Sequence, residues 1–173
     1  QFFDLITLSQ VIEHIPDPLQ LLLSLKDKLK SNGKIILSCP NANALNRRIL
    51  GRRWLHWHVP YHLNHFTKTS IGLLLRQAGL EIISIRTITP NLWSVLQLRS
   101  LLTSPEEGCR DTSWDLAKNG SNQERQKTIL ECISLKAINI SFRKNGIVFA
   151  PYNRIVDALG LGESLLVKAC MAG

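Results

Sequence analysis

The sequence predicts an α/β fold, a doubly wound sheet in which strands alternate with helices. Apolar runs at residues 2–9, 35–39 and 80–88 are short and rich in aromatic and β-branched residues, as in strands that are buried on both faces. Helical patterns separate these runs, and strand, helix and strand within about forty residues form a βαβ unit. The crossover of that unit is expected to be right-handed.

The first helix is expected to begin at Pro18, with Asp17 as its N-cap and Gln20 completing a capping box. A wide leucine stripe follows, and lysines lie in the last turns, where the helix dipole favours cations. Gly33 is placed to end this helix before the strand at 35–39.

The second helix is predicted from Thr67, a suitable N-cap, to Gly79, a suitable C-terminal stop. Its apolar residues have helical spacing; they are Ile71, Leu74, Leu75 and Ala78. A last strand is expected within residues 164–170.

The middle of the chain departs from this alternation. Residues 91–150 contain repeated turn signals around an amphipathic pattern at 130–140. We interpret this stretch as a helical insertion or lid, with an irregular excursion of no function as the alternative. The predicted division is a partial α/β core at 1–90, the insertion at 91–150, and the last helix and strand of the core at 151–173.

Composition narrows the class of protein. The 173 residues are 45% hydrophobic and 20% charged, which fits one globular domain. Four widely spaced cysteines favour a reducing, cytoplasmic environment over a disulfide framework or a zinc ribbon. The net charge of +8 is compatible with nucleic acid or an anionic membrane surface, but it identifies neither.

Seven segments together resemble one known family. They are Phe3-Asp4-Leu5-Ile6, Glu13-His14-Ile15-Pro16-Asp17-Pro18, Leu29-Lys30-Ser31-Asn32-Gly33-Lys34, Pro40-Asn41, Pro60-Tyr61-His62-Leu63-Asn64-His65-Phe66, Ala78-Gly79-Leu80 and Asn153-Arg154-Ile155-Val156-Asp157-Ala158-Leu159-Gly160. Their order and spacing resemble the second half of class I S-adenosylmethionine-dependent methyltransferases, and most of all the quinone-biosynthesis O-methyltransferases and their bacterial relatives. The resemblance covers residues 1–90 well and residues 151–170 loosely.

This resemblance implies S-adenosyl-L-methionine as the cofactor, with Ser9 and Gln10 beside it at the end of the first strand. The glycine-rich turn that holds most of such a cofactor is absent before any predicted helix of this sequence. We therefore expect a fragment that corresponds to the C-terminal half of the sheet and is inactive alone. Residues 2–9 would then form an apolar sheet edge, and the fragment would self-associate.

His14 is a candidate catalytic base because it follows the first strand, where ligands of such sheets bind. The alternative is a histidine that is hydrogen-bonded at the start of the next helix. In quinone O-methyltransferases the resemblance implies a Glu-x-x-Glu-His group that can hold a divalent cation. Here Gln10 occupies the first position, so one carboxylate is lost and no metal is expected.

Residues 44–66 are the best candidate for a substrate loop because histidines and aromatic residues are dense there. His62 is the second candidate catalytic base. The candidate substrate-binding residues are Arg53, Trp54, Trp57, Tyr61 and His65. Alternatively, the aromatic residues close the top of the sheet while the histidines bond to backbone. The spacing of His58, His62 and His65 would also permit a metal site, although no carboxylate or cysteine joins it in sequence.

The predicted function is methyl transfer to a small molecule, either a quinone-like or lipid-like acceptor or a glycan precursor. A nucleic-acid-binding module is the alternative, because four arginines (47, 48, 52 and 53) that could pair with phosphates precede two tryptophans that could stack on bases. Under the leading prediction, no nucleic acid is expected as a partner. A decayed fold kept for protein contacts is a third interpretation. The apolar residues at 92–102 would suit a peripheral membrane contact, but packing of the same face against the sheet is the favoured interpretation.

Overall fold

The computed structural model of the protein describes residues 2–103 and 146–171. The strands there are β1 (Phe3–Ser9), β2 (Leu29–Pro40), β3 (Leu80–Ile88) and β4 (Ser164–Met171). The helices are α1 (Pro18–Lys26), α2 (Leu45–Leu50), α3 (Lys68–Gln77), α4 (Asn91–Thr103) and α5 (Ala150–Ala158). Short 3-10 turns lie at Ile12–His14, Gly51–Arg53, Leu55–Trp57 and Ile147–Phe149. The helical pattern at 130–140 falls outside the described residues.

The four strands form one sheet in the order β1-β2-β4-β3. β1 and β2 are parallel, as the predicted βαβ unit requires. β4 is antiparallel to both of its neighbours, β2 and β3. The predicted α/β fold is confirmed, and the last strand proves to lie inside the sheet, between two strands that precede it in sequence.

The core lies between one face of this sheet and helices α1 and α3. Leu37 of β2 lies directly opposite Val167 of β4, and both are buried together with Leu22 of α1 and Leu75 of α3. Burying each such aliphatic side chain stabilises the fold by about 1.5–3 kcal/mol. This packing fixes where the ends of β1 and β2 lie, and the candidate site is built at those ends.

The predicted helix starts are confirmed. The Asp17 carboxylate accepts a hydrogen bond from the Gln20 N–H (2.9 Å), and Thr67 and Ser70 form a reciprocal capping box. The prediction that Gly33 ends the first helix is wrong: α1 ends at Lys26, and Gly33 lies within β2. The pairing of β1 with β2 is irregular at this point, and a Cβ at Gly33 would lie 2.9 Å from the Phe3 carbonyl oxygen. Glycine is needed there for a close strand contact rather than for a helix stop.

β1 lies at an edge of the sheet. Ile6 and Leu8 pack against the core, whereas Phe2, Phe3 and Leu5 are exposed. The predicted burial of this strand on both faces is not found among the described residues, because Phe3 and Leu5 lie on the face opposite Ile6 and Leu8 and this face is exposed. The predicted apolar edge is present.

Helix α4 packs against the molecule through a mostly polar face, in which Ser94, Gln97 and Ser100 are buried beside Val95. The Gln97 side chain accepts from the Leu55 N–H (2.8 Å) and donates to the Arg53 carbonyl (2.9 Å). Within residues 2–103 and 146–171, no helix has the length and apolar character to cross a membrane.

Candidate active site

The carboxyl end of β1 carries the first part of the site. Ser9 is the last residue of the strand, and Gln10 follows it with a positive φ of 53°. The Gln10 N–H donates to the Ser38 carbonyl (2.9 Å), and its side-chain amide donates to the Ser38 hydroxyl (3.3 Å). Both predicted cofactor residues thus lie where the parallel strands β1 and β2 end, the edge at which open α/β sheets bind ligands.

The segment 58–66 is attached to the turn at Ile12–His14 by backbone hydrogen bonds. The N–H groups of Leu63 and Asn64 both donate to the Glu13 carbonyl, at 2.8 and 3.0 Å. The Asn64 side chain donates to the Ile15 carbonyl (2.7 Å). These contacts explain why His62 lies next to His14 although 47 residues separate them.

The result is a cluster of imidazole rings. The centroids of His14 and His62 lie 4.7 Å apart, and those of His58 and His62 lie 4.9 Å apart. Nδ1 of His14 lies 2.9 Å from the Tyr61 carbonyl oxygen, and Nδ1 of His62 lies 2.8 Å from that of His56. Because a carbonyl oxygen only accepts hydrogen bonds, each Nδ1 is the donor, and Nε2 is the nitrogen that can accept a proton.

The burial of His62 sets its protonation state. Burial lowers the pKa of His62 to about 4, and the neighbouring imidazoles add to the decrease, whereas the hydrogen bond to the His56 carbonyl opposes it. His62 is therefore neutral near neutral pH and available as a base. Burial also raises the pKa of Glu13, whose side chain is fully buried.

Glu13 extends the cluster with a carboxylate. Its two carboxyl oxygens have no hydrogen-bond partner among the described residues. One ligand atom each from Glu13, His14 and His62 can be placed with all three within 4.8 Å of one another. Carboxylate and imidazole are ligands of zinc and related metals, so these three side chains could hold such an ion. The sequence pattern of His58, His62 and His65 did not include this carboxylate.

The aromatic residues of the predicted substrate loop divide by burial. Trp54 is 2% exposed, and its indole N–H donates to the Glu163 carboxylate (2.7 Å). Trp57 is half-buried against His65, with ring centroids 4.8 Å apart, whereas Tyr61 and Arg53 are exposed. The structure therefore places Trp57, Tyr61 and His65 around the imidazole cluster and Trp54 in the interior.

Sequence reasoning counted His56 among the histidines of the substrate loop but missed Glu163 and the contact between these two buried titratable residues. Nε2 of His56 lies 3.6 Å from Oε2 of Glu163. The residues are far apart in sequence and belong to no common motif, so only the fold brings them together.

A family model described as "Methyltransferase domain" matches residues 1–85. The match covers β1, α1, β2, α2 and α3, together with every histidine of the cluster. It identifies this segment as methyltransferase-domain sequence and confirms the predicted resemblance to class I S-adenosylmethionine-dependent methyltransferases.

Individual relatives with similar sequences are O-methyltransferases of quinone biosynthesis. The chain is 30% identical over 95 residues to the ubiquinone biosynthesis O-methyltransferase of Pseudomonas aeruginosa, covering 51% of this chain and 41% of the relative. It is 28% identical over 97 residues to the enzyme of the same name from Xanthomonas euvesicatoria pv. vesicatoria, covering 53% of this chain and 41% of that relative. The chain thus spans about two fifths of the length of these relatives.

Solved structures with similar folds include a SAM-dependent methyltransferase from Archaeoglobus fulgidus, at a TM-score of 0.45 and 18% identity over 98% of this chain and 59% of that one. A second is Haemonchus contortus phosphoethanolamine N-methyltransferase 2, at a TM-score of 0.49 and 17% identity over 100% of this chain and 35% of that one. The resemblance to methyltransferases rests on the sequence matches.

Proposed function

We propose that this chain contributes the acceptor-binding side of an S-adenosylmethionine-dependent methyltransferase. The observation that carries the proposal is the pairing of His14 and His62, from two separate segments, beside the carboxyl end of β1. The acceptor is a small molecule of a quinone-like or lipid-like class or a glycan precursor, and the names of the relatives favour a hydroxyl as the acceptor atom.

In this proposal His62 is the general base, and the ring of His14 packs against it as the second catalytic histidine. Nε2 of His62 takes the proton of the acceptor hydroxyl, so that the oxygen becomes a better nucleophile. S-adenosylmethionine, when bound, supplies an electrophilic methyl group on a sulfonium sulfur. Trp57, Tyr61 and His65 line the approach to the imidazoles, and Arg53 lies exposed at the start of the same loop.

Ser9 and Gln10 would hold part of the cofactor. They offer a hydroxyl and an amide at the carboxyl end of β1, which suits a polar, charged ligand. A glycine-rich turn is still required for close backbone contact with the remainder of the cofactor. We propose that additional strands carrying such a turn pair with the free edge of β1, and that the chain alone is inactive.

Calorimetry with S-adenosylmethionine tests the cofactor part of this proposal. We expect no measurable binding by this chain alone, and binding by a longer form that includes residues encoded upstream of Gln1. Tight binding by the present chain would contradict the division of the site. Absence of binding by a folded longer form would favour the alternative of a decayed fold kept for protein contacts.

Methyl transfer by the longer form tests the role of His62. We expect His62→Asn to lower kcat by about 10²–10⁴-fold, because the proton acceptor is removed. The matched control is Leu73→Asn, an exposed position on α3 outside the site, for which kcat should not change. Full activity in His62→Asn would show that this imidazole is not the base.

The nucleic-acid alternative receives less support. Trp54, one of its two stacking residues, is buried and bonded to Glu163. A base could not stack on this indole without the loop being displaced.

A further inference from the structure

Glu163 is a buried carboxyl group outside the histidine cluster. It lies directly before β4 and is 3% exposed. Its Oε2 accepts a hydrogen bond of 2.7 Å from the Trp54 indole and lies 3.6 Å from Nε2 of His56. Burying a carboxyl group is costly unless it makes specific contacts, so a side chain with this placement needs an explanation.

The contacts of Glu163 help to fix the short turn at Leu55–Trp57, whose Leu55 N–H is also bound by the Gln97 side chain. Trp54 and His56 lie on either side of Leu55, and both of their side chains approach Glu163. The His56 ring is also enclosed by aromatic rings, with centroid distances of 5.3 Å to Trp54 and 4.8 Å to Trp93. The backbone of the turn is thereby held in one position relative to β4.

The His56 carbonyl, at the centre of this turn, accepts the hydrogen bond from Nδ1 of His62 (2.8 Å). A neutral imidazole carries one N–H, so a proton held at Nδ1 leaves Nε2 with its lone pair. The tautomer of His62 therefore depends on where the His56 carbonyl lies.

We propose that Glu163 is a positioning residue for His62: by anchoring the Trp54 indole next to His56 it fixes the His56 carbonyl, and this carbonyl holds His62 in the tautomer whose Nε2 accepts a proton. The inference rests on the proposed function, in which that nitrogen takes the proton of the acceptor hydroxyl. It assigns a role in the site to the residue directly before the last strand of the sheet, 101 positions after His62 in the chain.

Long-range ¹H–¹⁵N spectra of the imidazoles in this chain test the proposal near neutral pH, with His62→Gln used to assign the His62 resonances. In the unmodified chain we expect His62 with a protonated Nδ1 and an unprotonated Nε2. In Glu163→Leu, which removes the acceptor of the Trp54 N–H, the Nε2 signal should shift toward that of a protonated nitrogen. Glu163→Gln keeps a side-chain oxygen for Trp54 and should keep the original pattern.

Trp54→Phe removes the indole N–H that donates to Glu163 but keeps an aromatic ring at this position. It should change the His62 signals in the same way as Glu163→Leu. Ser94→Ala is the matched control: it removes a buried hydrogen bond to Asn153 (2.8 Å) without contacting this network, and the His62 signals should not move. An unchanged tautomer in Trp54→Phe, or an Nε2–H tautomer in the unmodified chain, would overturn the proposal. If Glu163→Leu fails to fold, the pair Trp54→Phe and Glu163→Gln decides.

The readout needs neither cofactor nor methyl transfer. A failure to bind S-adenosylmethionine in the longer form would overturn the proposed function and leave the tautomer result standing. An unchanged tautomer in Trp54→Phe would overturn only the role of Glu163, whereas an Nε2–H tautomer in the unmodified chain would also contradict the role of His62 as the base.

Discussion

His56 links the stability of the fold to pH at the scale of one residue. Burial lowers its pKa to about 3, and the charges of His62 and His58 add to the decrease. Protonation is thus disfavoured in the folded state, whereas the unfolded histidine takes a proton near pH 6.5. The stability that depends on a neutral His56 is complete above about pH 6.5 and is lost as the pH falls toward 3. Glu13 and Glu163, with pKa values raised by burial, act in the opposite direction: their contribution is lost as the pH rises above 4.5.

We therefore expect the free energy of unfolding, measured by urea denaturation, to fall by about 2 kcal/mol between about pH 6.5 and pH 5 on account of His56. His56→Phe keeps an aromatic ring between Trp54 and Trp93 but cannot be protonated. The decrease should therefore be smaller by about this amount in the variant, and the part that remains comes from His62, whose pKa is also lowered by burial. An equal decrease in both proteins would place the acid sensitivity elsewhere.

At the scale of elements, local patterns predicted most of the secondary structure. Asp17 and Thr67 cap their helices through contacts with residues three positions away, and such contacts can be read from the sequence. Gly33 could not be interpreted this way, because its neighbour is the carbonyl of Phe3 on another strand. The candidate site was also predictable only in part. His14 and His62 could be proposed from their residue type. Their proximity, and the contact of Glu163 with Trp54, could not be predicted because they depend on long-range packing.

Two glycine substitutions test whether Gly33 is required by its contact with another strand. Gly33→Ala should lower the free energy of unfolding by about 1–3 kcal/mol, because the added Cβ would lie 2.9 Å from two backbone oxygens. Gly72→Ala in α3 is the matched control: its Cβ would lie 3.4 Å from the Ile82 side chain, and alanine favours a helix by about 1 kcal/mol over glycine. Thermal unfolding should rank Gly72→Ala at or above the unmodified chain and Gly33→Ala below it. The reverse order would contradict the strand contact assigned to Gly33.

At the scale of the whole molecule, the apolar edge at β1 should govern association. Phe2 and Phe3 are 64% and 39% exposed, and Leu5 is 51% exposed on the same strand. Apolar edge strands pair with other chains through their unpaired backbone groups, and charged side chains on such a strand reduce this pairing.

We expect size-exclusion chromatography with light scattering to show a mass that rises with protein concentration, and Leu5→Lys to reduce that rise. Leu73→Lys makes the same exchange at an equally exposed position on α3 and should leave the association unchanged. A monodisperse monomer at all concentrations would contradict the assigned role of the edge.

The central place of β4 also has a consequence for synthesis on the ribosome. β2 and β3 pair with β4 and not with each other, so β4 must be present before the sheet can join them. A nascent polypeptide translated only as far as α5 therefore contains β2 and β3 without the strand that pairs with both of them. Pairing between residues so far apart in sequence is slow. The four-stranded sheet cannot be completed until residues 164–171 have left the exit tunnel. Before that point the incomplete chain is most vulnerable to proteolysis and misassembly.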